Sequence, residues 1–119
     1  MSLLEGFMSA VTRKVLIVDD DPWVGKLVEF VARDLGYEPL LARDGAEALE
    51  LFAEELPDVV VADVVLPRID GLEVCRRVKS TGPGAFTPVL VVSGVYRSER
   101  EALKRFRADG FFAKPLSPE

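Results

Sequence analysis

The sequence predicts an α/β fold: a five-stranded parallel sheet, doubly wound, with helices on both faces. Three observations lead there. Three unbroken aliphatic runs, Val15-Leu16-Ile17-Val18, Val59-Val60-Val61-Ala62 and Val89-Leu90-Val91-Val92, read as strands buried on both faces. Amphipathic stretches carrying helix-cap residues separate them. The chain has 119 residues, 49% hydrophobic and 29% charged, which is the size and composition of one globular domain with a substantial core.

In chain order, Val15 to Val18 is the first strand. Val24, Leu27, Val28, Val31 and Leu35 then repeat at helical spacing, and Gly36 is placed to stop that helix. Tyr37 to Leu41 is a short, mixed strand. Asp44 and Glu47 have the spacing of an N-cap and the third helical residue, with Leu49, Phe52, Ala53 and Leu56 expected on the inner face and Pro57 ending the helix. Val59 to Ala62 is the next strand. Asp70 with Glu73 opens a third helix whose inward residues are Val74, Cys75 and Val78. Ser80 to Thr87, holding Gly82, Pro83 and Gly84, reads as a loop. Val89 to Val92 is the fourth strand. Ser98 and Glu101 form a further cap pair, Leu103 and Phe106 line that helix, and Gly110 is placed to cap its end. Phe111 to Ala113 is the last strand. The pure aliphatic runs are the central strands and the mixed ones the edges.

The ends carry less. MSLLEGFMSAVTR has no basic n-region and holds Glu5 within its apolar part, so it is not a signal peptide. Residues 1–13 read as an N-terminal extension or an expression-derived leader. Ser117-Pro118-Glu119 has the form of a cap, a proline at the first helical position and an acidic first turn. It announces a helix that the chain does not contain. No run approaches the roughly 20 apolar residues of a membrane span, and the expected location is the cytoplasm, with no membrane partner.

Composition excludes several chemistries. There is no histidine and a single cysteine, Cys75, so this chain holds no Ser-His-Asp triad, no Cys-His pair, no His-ligated zinc and no internal disulfide. A net charge of -5 disfavours direct nucleic-acid binding. No Gly-rich phosphate loop occurs.

The polar residues are informative by position. Each apolar run ends in one: Asp19-Asp20-Asp21, then Asp63, then Ser93, then Lys114-Pro115. In an open parallel sheet the carboxyl ends of the strands share one edge, and ligands bind there. Asp21 before Pro22 is the ordinary N-cap of the first helix. Asp19, Asp20 and Asp63, with Ser93 and Lys114, converge on one crevice. If the first and third strands are neighbours, about 4.8 Å apart, Asp20 and Asp63 face each other. Carboxylates so close repel unless protonated or bridged by a cation. An all-oxygen donor set suits Mg²⁺, which keeps waters and accepts a phosphate.

At VLIVDDDP, DVVVADVVLPRIDGLEV, VLVVSG and DGFFAKP, together spanning residues 14–116, the sequence resembles the receiver domain of two-component response regulators. The resemblance implies a flavodoxin-like sheet of order 2-1-3-4-5 whose final helix is missing here, in a domain over residues 14–119. It implies a regulatory phosphoacceptor, not an enzyme acting on a separate substrate. Asp63 would be phosphorylated. Asp20 and Asp63 would ligate Mg²⁺ directly, Asp19 through water, and Val65 through its backbone carbonyl. Ser93 and Lys114 would contact the phosphoryl group, and Phe111 would be the aromatic switch residue. The partner implied is a histidine kinase or phosphotransfer protein, which supplies the phosphohistidine this chain lacks. An output domain or partner beyond residue 119 and a homodimer are open at this point.

Three departures from the family pattern stand out: Phe111 in place of the usual tyrosine, Gly94 in place of the usual alanine, and the absent last helix. Val65 and Val95 cannot orient an attacking water, so a long-lived acyl phosphate is expected. Two rival readings are a receiver-like interaction module that is not phosphorylated, and an aspartate-nucleophile phosphatase. The second usually needs an acid where Val65 stands.

Overall fold

The computed structural model describes residues 2–4, 13–94 and 99–114. Five strands, β1 (Arg13–Val18), β2 (Tyr37–Ala42), β3 (Val59–Asp63), β4 (Val89–Ser93) and β5 (Gly110–Ala113), form one parallel sheet in the order β2-β1-β3-β4-β5. The expected order is therefore found, with the three pure aliphatic runs at the centre. The helices are α1 (Pro22–Asp34), α2 (Gly45–Glu55), α3 (Gly71–Ser80) and α4 (Glu99–Arg105).

Strand alternation divides the apolar side chains between two cores. Leu16, Val18, Val60, Ala62, Val89 and Val91 point to one face and pack with Ala48 and Phe52 of α2 and with Leu72, Val74, Cys75 and Val78 of α3. Val15 and Ile17 point to the other and pack with Ala32 of α1, flanked by Val28, Val59 and Val61. The central residues are essentially inaccessible to solvent, and burying each aliphatic side chain contributes about 1.5–3 kcal/mol. Cys75 belongs to this core: burial pushes its thiol up to about 11, and the thiol donates to the Phe106 carbonyl at 3.1 Å. Such a thiol is structural, not reactive.

The caps behave as the sequence implies. Asp21 Oδ1 accepts from the Trp23 amide at 2.9 Å, Asp44 Oδ1 from Glu47 at 2.8 Å and Asp70 Oδ1 from Glu73 at 2.8 Å. Gly36, at φ 87, follows α1. Other expectations fail locally. The segment expected as a loop contains a 3₁₀ turn, Pro83–Phe86, because Pro83 supplies a helical φ and the Thr81 hydroxyl accepts the Gly84 amide at 2.9 Å. Ala53 and Leu56 do not face inward. Leu56 is the C-cap of α2 at φ 46 and 54% exposed, and Ala48 takes the inner position instead. On α1, Val31 and Leu35 remain 38% and 68% exposed, because the small Gly25 and Ala32 form the buried contact line.

Gly110 does not cap α4. It opens β5, and the left-handed residue after the helix is Arg107, φ 60. The reason is a clamp at the amino-terminal edge of the sheet. Asp109 and Val89 exchange two bonds: the Asp109 amide donates to the Val89 carbonyl at 2.8 Å, and the Val89 amide donates to Asp109 Oδ2 at 2.8 Å. Buried Lys79 pairs with the same carboxylate at 2.7 Å and donates to the Thr87 carbonyl at 2.6 Å. These bonds fix where β5 begins, so the chain must turn before Asp109. The cap Ser98, the loop residue Val95 and the segment Ser117-Pro118-Glu119 lie outside the described residues.

A left-handed φ at a side-chain-bearing residue costs about 1 kcal/mol. Arg107→Gly is therefore expected to stabilise the protein by about 0.5–1 kcal/mol, read as a rise in the midpoint of urea denaturation. An unchanged or lower midpoint would contradict this account of the turn.

Candidate phosphoacceptor and metal site

Parallel strands bring their carboxyl ends together, and the side chains there are polar. β1 ends at Val18, and Asp19 follows; its amide still donates to the Ala42 carbonyl of β2 at 3.0 Å. Asp19 Oδ1 accepts the Asp21 amide at 2.8 Å, which folds the chain from the strand into α1. Asp63 is itself the last residue of β3, and Ser93 the last of β4. Lys114 follows β5, and its amide donates to the Ser93 carbonyl at 2.8 Å.

The three carboxylates meet: one oxygen each from Asp19, Asp20 and Asp63 lie within 4.8 Å of one another. Lys114 Nζ reaches Asp63 Oδ2 at 3.0 Å and Asp19 Oδ2 at 3.2 Å. Asp63 and Ser93 are only 6% and 3% exposed, whereas Asp20 is open to solvent. Among the described residues, Lys114 is the cation that pairs with this cluster, through Asp63 and Asp19. Burial raises the Asp19 carboxyl above the ordinary carboxylate range, the Asp63 charge adds to that, and bonds from the Asp21 amide and Lys114 offset only part of it. Burial alone would lower the Lys114 ammonium, but its bonds to Asp63 and Asp19 overcome this and raise it. Lys114 therefore stays charged.

The backbone around Asp63 is held closely. The Val64 amide donates to the Val92 carbonyl at 2.9 Å, and the Val65 amide lies 3.4 Å from Asp63 Oδ1. Gly71 begins α3 hard against the strand: a Cβ there would sit 1.9 Å from the Asp63 carbonyl oxygen. Only glycine allows that approach. At Gly94 a Cβ would meet the Lys114 stem at 3.6 Å, an ordinary contact, so an alanine would fit there.

Of the residues singled out from sequence, Asp19, Asp20, Asp63 and Lys114 are brought into one cluster, and Ser93 sits at the same sheet edge. The Val65 side chain is 54% exposed. Phe111 is half-buried on β5 against the larger core, paired in register with Val91, so it flanks the site from within the sheet and does not enter the cluster. Sequence reasoning missed two features. A cavity of about 190 Å³ adjoins the acidic residues on the β2 side, with Lys26 and Arg43 at its wall. The Arg68 side chain, on the loop that follows Asp63, pairs with Asp44 at the start of α2. Neither position carries a local signal, because both depend on which loops the strand order places side by side.

A doubly wound sheet with an acidic cluster, a strand-end serine and a following lysine defines a receiver-type domain. The description "Response regulator receiver domain" matches residues 15–119, and the chain belongs to this family, that of the phosphoacceptor domains of two-component signalling. It is 44% identical over 107 residues to the response regulator MprA of Mycolicibacterium vanbaalenii, covering 89% of this chain and 46% of that one, so it spans about half the length of the curated relatives it matches. Among solved structures it is similar to chemotaxis protein CheY4 of Vibrio cholerae, with 33% identity, TM-score 0.83 and 91% of each chain covered. It is also similar to the receiver domain of sensor histidine kinase PA1611 from Pseudomonas aeruginosa, with 25% identity, TM-score 0.79 and 90% of this chain and 88% of that chain covered. That structure has a magnesium ion coordinated in the active-site cleft. No helix among the described residues is long and apolar enough to cross a membrane.

The raised Asp19 carboxyl has a consequence for stability. Its folded-state pKa lies above its unfolded value, so in the metal-free protein ionised Asp19 costs stability at neutral pH, and this cost disappears as pH falls through the folded pKa. Asp19→Asn should raise Tm in metal-free buffer at neutral pH, with the gain shrinking in mildly acidic buffer. A lower Tm at neutral pH would show that the Lys114 contact outweighs burial.

Proposed function

We propose that Asp63 accepts a phosphoryl group from a phosphohistidine on a partner kinase or phosphotransfer protein, with Mg²⁺ held by Asp19, Asp20, Asp63 and the Val65 carbonyl. The observation that carries this reading is the cluster itself: three carboxylates and one ammonium at the carboxyl edge of the sheet. The donors are all oxygens and partly open to water, which fits Mg²⁺ better than a softer metal. Bound there, the ion would neutralise charge on the transferring phosphoryl oxygens.

The chain's own residues do the rest. A carboxylate oxygen of Asp63 forms the bond to phosphorus as the phosphohistidine N–P bond breaks, and the imidazole leaves with the electron pair. Asp63 is fixed for this by its place at the end of β3, by the Val65 amide and by Lys114. Lys114 already donates to Asp63 Oδ2, so its ammonium is in place to donate to the phosphoryl oxygens as Asp63 becomes an acyl phosphate. The Ser93 hydroxyl, at the end of the next strand, would bond the phosphoryl group. Phe111, packed behind that edge, would fill the space the Ser93 movement leaves, and the two packings give the output. The apolar Val65 side chain beside the site cannot orient a water, which favours slow hydrolysis. On this reading residues 14–119 form a regulatory receiver domain that catalyses its own phosphorylation and slow dephosphorylation; Arg13, expected in the extension before it, is instead the first residue of β1 and pairs in register with Tyr37.

Incubation with acetyl phosphate and Mg²⁺ should add one phosphoryl group per chain, labile in base and absent from Asp63→Asn. Undiminished incorporation in the variant would place the acceptor elsewhere. No incorporation in the wild type would favour an interaction module that is not phosphorylated.

A further inference from the structure

We propose that Arg68 is a positioning residue for the Asp63 site: its ion pair with Asp44 holds the loop of residues 64–70 in the form that sets the Val65 backbone against Asp63. The inference rests on the reading of Asp63 as phosphoacceptor and deepens it.

The loop leaves β3 directly after Asp63 and returns at α3. Its base is closed, since the Gly71 amide donates to the Val64 carbonyl at 2.9 Å and Gly71 itself is jammed against the Asp63 backbone. Its tip is a sharp three-residue turn. The Ile69 amide donates to the Pro67 carbonyl at 2.8 Å, with Arg68 between them at φ 66. That is the γ-turn form with positive central φ, rare and strained for any residue with a side chain. A strained turn persists only where its surroundings over-determine it.

Two contacts with the start of α2 supply that restraint. The Arg68 guanidinium pairs with Asp44 Oδ2, while Asp44 Oδ1 remains on the Glu47 amide as the helix cap. The adjoining Ile69 lies on Gly45, where a Cβ would sit 2.3 Å from the Ile69 carbonyl oxygen. The Glu47 amide, and then Arg68, hold the Asp44 carboxyl below the usual carboxylate range, so the pair stays charged. The Arg68 side chain is largely exposed, and an exposed ion pair adds little to global stability. What it decides is which shape the turn takes, and so where the Val65 amide, 3.4 Å from Asp63 Oδ1, and the Val65 carbonyl are held. Stability and site geometry are therefore separable.

Two variants isolate the effect. Arg68→Gly accepts the positive φ without strain but loses the tether. Asp44→Asn keeps the cap oxygen but loses the charge. For each, Mg²⁺ titration by Trp23 fluorescence and calorimetry is compared with Tm and with the rate of phosphorylation by acetyl phosphate. A near-unchanged Tm is expected in Asp44→Asn, and a Tm unchanged or raised in Arg68→Gly, where glycine relieves the positive φ. Mg²⁺ binding weaker by about tenfold in both and proportionally slower phosphorylation are expected, with Mg²⁺ binding in the double variant no weaker than in either single one. Arg68→Lys, which keeps the charge, should recover part of the affinity. Wild-type Mg²⁺ affinity in both single variants would overturn the proposal, as would losses that multiply in the double. Should the wild type bind Mg²⁺ yet take no phosphate, the phosphoacceptor reading fails, while the Mg²⁺ comparison still decides the role of Arg68.

Discussion

The carboxyl edge of the sheet is crowded with negative charge, and much of the molecule is arranged around that fact. Asp19, Asp20 and Asp63 bring carboxylate oxygens within 4.8 Å of one another, and Lys114 alone among the described residues bridges two of them. Repulsion at that range in a half-buried place opposes folding. It is tolerated because the edge stands on a platform of fully buried aliphatics in β1, β3 and β4. Stability is concentrated in the strands, and the strained, charged and hydrogen-bonded loops at their ends are carried by it.

The two ends of the sheet divide the work. At the amino-terminal edge, Lys79, Asp109, Val89 and Thr87 form a closed set of bonds that fixes the start of β5. At the carboxyl edge three carboxylates gather beside Lys114. Phe111 lies between, on a strand pinned at one end and joined to Lys114 at the other. On the proposed function, a phosphoryl group bonded by Ser93 and Lys114 would act on Phe111 through this strand.

Most of this architecture was legible in the sequence. β-branched runs without interruption mark central strands, and the Asp residues at 21, 44 and 70 mark helix starts because a side-chain acceptor is needed there. The acidic cluster was legible because every strand of a parallel sheet delivers its final polar residue to the same edge. What was not legible depended on partners distant in sequence. Gly110 looked like a helix cap, but Asp109 and Val89 bind each other and force the turn onto Arg107. Leu56 and Val31 fit a helical stripe, yet the small residues Ala48 and Ala32 are the ones buried against the sheet. Arg68 gave no sign of its role, since its partner Asp44 is brought near only by the strand order.

The central claim is that the charge-crowded edge is built to hold a cation. The most direct measurement is the thermal denaturation midpoint of the unphosphorylated protein as Mg²⁺ is added at constant ionic strength. The account predicts a saturable rise, following RT ln(1 + [Mg²⁺]/Kd), that is lost in Asp20→Asn. A midpoint that does not move in the wild type, or that rises equally in the variant, would contradict it.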